Sequence, residues 1–112
     1  MLRQQSRMQM VTIKNPLPHV QGNAFDAGGI EARASIQPMR GSVCANVYGL
    51  KPSAMRLMLF DPSSKIQMNQ GVCVDVDGAS DPDFRVVYVQ EWLGHGAAHL
   101  QFIPEAERGA DA

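Results

Sequence analysis

Residues 84–103 read FRVVYVQEWLGHGAAHLQFI, and the parsing of this stretch decides the fold. Val86-Val87-Tyr88-Val89 sets four β-forming side chains in a row, which marks Phe84 to Leu93 as the best-buried strand of the chain. Gly94-His95-Gly96 predicts a tight turn, and Ala97 to Ile103 predicts the returning strand of a hairpin. Val86, Tyr88, Leu100 and Phe102 are expected in the core. Trp92, near the end of its strand, fits either core or interface. Pro104 has no N–H for a ladder and stops the second strand.

Upstream, the same reasoning yields more short strands. Ile30, Ala32, Ala34 and Ile36 alternate with Glu31, Arg33, Ser35 and Gln37, the period of a half-buried strand, which Pro38 ends. Val11 to Lys14 starts an earlier strand, closed by Asn15-Pro16-Leu17-Pro18, and residues 19–29 read as a loop or hairpin connection. Val43 to Leu50 and Met55 to Phe60 predict two further strands, the latter bounded by Asp61-Pro62-Ser63-Ser64. Val72 to Val76 carries valines on alternate positions and predicts another. No amphipathic helix stands out. The expected fold class is all-β, a small antiparallel barrel or sandwich with long loops and an extended N-terminal arm. Residues 1–10 form the arm, 11–104 a single β domain and 105–112 a polar C-terminal tail.

Composition supports one domain. The chain has 112 residues, enough for one core and too few for two. Hydrophobic residues are 45%, which excludes a disordered chain. Ten basic residues against eleven acidic ones leave a formal charge of −1, so no long-range field draws in nucleic acid or an anionic membrane. No apolar run approaches the ~18 residues of a membrane span. The first ten residues lack an apolar stretch after Arg3 and Arg7 and do not read as a secretory signal. Two cysteines, Cys44 and Cys73, are fewer than a small secreted domain carries, and are expected to be reduced, apolar thiols. Seven methionines suit surfaces that adapt to a partner.

The polar clusters favour structure over chemistry. Asp75, Asp77, Asp81 and Asp83 form the densest acidic patch, but Gly78 falls fourth from Asp75, and Phe84 and Arg85 interrupt any EF-hand continuation. Asx turns account for it better than a cation does. His95 and His99 have i, i+4 spacing, yet flanking glycines disfavour a helix, and on a strand they stand ~13 Å apart, too far for one ion. No nucleophile-elbow or phosphate-binding glycine pattern occurs. No catalytic, metal-binding or cofactor-binding residue is assigned, no cofactor is expected, and the chain does not read as an enzyme.

The order of elements resembles a known family. An opening VTIKNP strand precedes the alternating EARASIQPMRG, and a variable middle follows. KIQMNQGVCVDV then leads into the terminal hairpin DFRVVYVQEWLGHGAAHLQFI. This succession is similar to the head–tail joining proteins of tailed bacteriophages, the head-closure or stopper group that includes small minor capsid proteins. It covers most of residues 10–104. Val43–Phe60 does not align with that pattern, and the acidic loop 77–83 is particular to this chain. The resemblance implies a structural virion protein at the head–tail interface, assembled in the host cytoplasm. Its subunits would form a homo-oligomeric ring, dodecameric or hexameric, below the portal and adaptor proteins. That ring would close the capsid, retain packaged DNA through non-specific contact and dock the tail proteins. A near-neutral charge suits a channel through which DNA must later slide. Arg3, Arg7, Arg40, Lys51 and Lys65 are the candidates for subunit or DNA contacts. A tail terminator or tail completion ring, or a small ligand- or metal-binding β-barrel, is the alternative.

Overall fold

The computed structural model describes residues 8–18, 23–38 and 54–109. It is a closed antiparallel barrel of six strands: β1 (Gln9–Lys14), β2 (Ile30–Pro38), β3 (Met55–Phe60), β4 (Gly71–Cys73), β5 (Phe84–Trp92) and β6 (His95–Phe102). Around the wall the order is β1-β2-β3-β6-β5-β4, and β4 pairs back to β1. Two three-stranded meanders, β1-β2-β3 and β4-β5-β6, are thus joined at both edges. Closure removes the outer edges that a single meander would leave open to aggregation.

The interior is mainly aliphatic, with Met58 and two phenylalanines. Val11, Ile13, Ala34, Met58, Phe60, Val72, Phe84, Val86, Ala98 and Leu100 pack into one cluster. Ile66, from the β3–β4 connection, joins them. Gly96 lets β6 pass under the Phe60 ring, since a Cβ there would lie 2.6 Å from Cζ of that ring. Among the described residues there is no α-helix, only the 3₁₀ turns Pro62–Ser64 and Glu105–Glu107, and no helix is long and apolar enough to cross a membrane.

Several expectations need correction. The strand expected over Val72–Val76 ends at Cys73, because the Asp83 carboxylate takes the N–H groups of Val74 (2.8 Å) and Asp75 (2.9 Å) away from any ladder. The hairpin turn is Leu93-Gly94 alone: Trp92 already pairs with His95, and Gly94 supplies the positive φ of 81°. Tyr88 and Phe102, expected in the core, are 42% and 39% exposed, whereas Val86 and Leu100 are fully buried as expected. The cause at Tyr88 is a bulge. Val86 pairs with Leu100 and Tyr88 with the adjacent His99, so Val87 is an extra residue that inverts the phase of the strand. Phe102 lies at the rim, edge-on to Phe84 (5.5 Å) and under the Arg108 guanidinium (5.2 Å).

The ends of the domain also shift. β1 begins at Gln9, two residues before the expected boundary. Residues 105–109 fold back against the domain: Gly109 N–H donates to the Asn23 carbonyl (3.0 Å), and Arg108 Nε to that of Ile103 (2.8 Å). The expected strand Val43–Leu50 lies outside the described residues.

Candidate functional site

Loop 74–83 is a lid over one wall of the barrel. Val11 and Ile13 of β1 face the core, so Thr12 and Lys14 face outward, with Cys73 and Gly71 of β4 opposite them. The loop covers these four. Pro82 rests where a Cβ on Gly71 would come within 2.6 Å of its Cγ, and Gly78 sits directly on the Thr12 side chain. Lys14 is 3% exposed and donates from Nζ to the Ser80 carbonyl at 2.7 Å. Asp83, 1% exposed, caps the start of the loop with both carboxylate oxygens, and Asp77 accepts from Ala79 N–H at 3.1 Å. Asp77 thus closes a local turn, as Asx side chains do, while Asp83 ties the end of the loop back to its start. Among the described residues no three His, Cys, Asp or Glu side chains converge as a metal site would require.

Cys73 lies under the same lid as a free thiol, with Sγ 3.6 Å from the Ser80 carbonyl. Burial pushes its pKa above the ordinary thiol value, against the pull of Lys14, which keeps it protonated and unreactive. Cys44 lies outside the described residues. His95 and His99 are on the opposite wall. His99 stacks on Tyr88 with ring centroids 4.9 Å apart, and burial holds its pKa below the usual value. His95 is exposed beside the hairpin turn.

That second wall presents an apolar surface. The bulge at Val87 turns Tyr88 outward, and Trp92 (50% exposed), Leu93 (100%) and Leu59 (38%) are also open to solvent. The β5–β6 hairpin carries Trp92 and Leu93 at its tip. Sequence reasoning missed this surface because it assigned Tyr88 to the core. The signal that finds it is the run Trp92-Leu93-Gly94, two large apolar residues leading into a turn glycine with no room to bury both.

A groove of about 860 Å³ lies between the first residues of β2 and the Pro62–Ser64 turn. Asp61 opens that turn by accepting from Ser63 N–H at 2.9 Å, and the turn ends at Lys65 in the left-handed conformation (φ 56°). These hydrogen bonds hold the Asp61 carboxyl below the usual carboxylate range. The groove is lined by Ile13, Ile30 and Ala32 on its apolar side and by Asp26, Glu31 and Lys65 on its charged side. Of the five candidate contact residues, only Lys65 is described, exposed at the mouth of this groove; Arg3, Arg7, Arg40 and Lys51 lie outside the described residues.

Chemically, the described surface offers an apolar knob and a mixed-charge groove. No family model, curated protein or solved structure gives a significant match to this chain.

Proposed function

We propose that this chain is a ring-forming structural subunit at the head–tail interface of a tailed bacteriophage, of the head-closure type. The observation that carries the reading is the β5–β6 hairpin, whose tip exposes Trp92 and Leu93 on an otherwise closed barrel. Large exposed apolar groups at one projecting place mark an interaction surface. Trp is also among the residues that dominate protein–protein affinity. The order of strands supports the same reading through the family it resembles. A closed barrel suits a ring subunit, since most of its strand edges are paired and neighbours dock through what projects or remains open. In that assembly the ring would sit below the portal and adaptor, hold back the packaged DNA and receive the tail.

Native mass spectrometry and cryo-electron microscopy of purified virions test this. The expected result is a ring of this chain at the neck, retained on isolated DNA-filled heads. Absence from virions overturns the reading, and presence on isolated tails alone replaces it with the tail terminator or completion ring.

A further inference from the structure

The barrel wall carries a gap that the described residues leave unfilled. β2 pairs with β1 over Ile30–Ala34, but with β3 only from Ala34 onward, where Ala34 faces Phe60. Past Phe60 the chain turns off into Asp61-Pro62, so the β3-side edge of residues 30–33 has no ladder partner among the described residues. The groove occupies the space where that partner would lie. Ile30, paired with the core residue Ile13, is 73% exposed for the same reason. An open strand edge beside an apolar floor accepts an extended peptide as an added strand.

We infer that the occupant is the N-terminal segment of a second copy of this chain, Leu2–Met8, laid along residues 30–33. The inference names the joint of the proposed ring and rests on that reading. Three observations favour this occupant. In extended form the segment LRQQSRM places Leu2 and Met8 on one face and Arg3 and Arg7 on the other. The first face suits Ile30 and Ala32. The second suits the groove, whose two acids, Asp26 and Glu31, outnumber its one base, Lys65. Neither acid is paired with a basic side chain among the described residues.

Geometry favours a second copy over the chain's own segment. β1 runs from Gln9, opposite Ala34, toward Ile13, opposite Ile30. Its N-terminal end therefore points away from the groove and lies on the other edge of β2. Seven extended residues reach roughly 23 Å, enough to enter an adjacent subunit. A head-to-tail contact of this kind closes into a ring when the rotation per subunit allows it.

Sedimentation equilibrium of the full chain tests the joint, with charge reversal and its compensation. R3E/R7E is expected to weaken self-association about tenfold or more, and D26K/E31K to do the same, because each sets like charges face to face. Combining all four substitutions is expected to restore association to within about threefold of the wild type. Asp26 and Glu31 are exposed, so melting temperatures should not move, and this separates lost docking from lost folding. Undiminished assembly of R3E/R7E, or failure of the combined variant to recover, overturns the joint while leaving the ring intact. A wild-type chain that stays monomeric at every concentration overturns both.

Discussion

Two walls of the same barrel handle their outward side chains in opposite ways. On the β1–β4 wall the chain covers itself: Thr12, Lys14, Gly71 and Cys73 lie beneath loop 74–83, and Asp83, the only carboxylate among the described residues taken fully out of water, satisfies two main-chain donors. On the β3–β6–β5 wall Leu59, Tyr88 and Trp92 remain open, and the hairpin ends in a fully exposed Leu93. A lid made of polar turns costs little once its hydrogen bonds are made internally, whereas exposed apolar groups are a standing cost that only a partner removes. The covered wall should accordingly govern stability and the open wall association.

The largest test of that division is Asp83→Ala. It strands the Val74 and Asp75 N–H groups in a part-buried setting, and charge-assisted bonds of this kind carry about 1.5–3 kcal/mol each. We expect a loss of about 3 kcal/mol in urea unfolding, with a melting temperature lower by roughly 10 °C or more. A loss below about 1 kcal/mol would mean that the lid contributes no more than an ordinary loop. Next comes Gly71→Ala, whose added methyl meets Pro82 Cγ at 2.6 Å and the Phe25 ring at 3.0 Å. Prising the lid off β4 should cost about 2 kcal/mol, as overpacking does. The companion Gly28→Ala, with nothing within 4 Å of the new Cβ, should leave the urea midpoint almost unchanged.

On the open wall the outcome inverts. Leu93→Ser should change unfolding free energy by less than about 0.5 kcal/mol, since that side chain is already fully in water. The same variant should weaken incorporation into particles at least about tenfold if the tip is an interface anchor. A large stability loss with unchanged incorporation would reverse the assignment of the two walls.

How much of this was legible in the sequence depends on the range of the interactions concerned. Strand β2 follows from alternation, β3 from a short apolar run before a punctuating turn, and most of β5 and β6 from a β-forming run and a glycine turn, all of which is local information. The errors fall where a distant group overrides the pattern. Val74 and Val76 alternate as a strand should, but Asp83, eight and nine residues away from the N–H groups it binds, bends the chain instead. Tyr88 alternates correctly until the bulge at Val87 inverts the strand, and no residue type signals that insertion. The pairing of β4 with β1 that closes the barrel joins residues some sixty positions apart and has no sequence signature. The groove was invisible for a related reason. It arises from where β3 leaves β2, which is a property of the register and not of any motif. Asp77 was readable as turn chemistry because Asx capping is itself local.

The smallest effect concerns the open wall and acid. His99 sits against Tyr88, and burial holds its pKa below the ordinary value of 6.5. The unfolded chain therefore binds a proton more readily than the folded one as the pH drops through 6.5. Protons bound by the unfolded state exceed those bound by the native state in that window, so stability rises with pH there and falls as the solution is acidified. The neutral-imidazole contribution is fully present above 6.5 and is lost as pH falls through the lower, folded value. Chemical denaturation at pH 7.5 and pH 5.5 should show a modest loss at the lower pH, part of which disappears in His99→Gln. His95, exposed beside the turn, serves as the control: His95→Gln should leave the acid-dependent loss as it is in the wild type. If the two substitutions behave alike, His99 is no more shielded from water than the hairpin tip, and the Tyr88–His99 stack adds nothing to the cover of this wall.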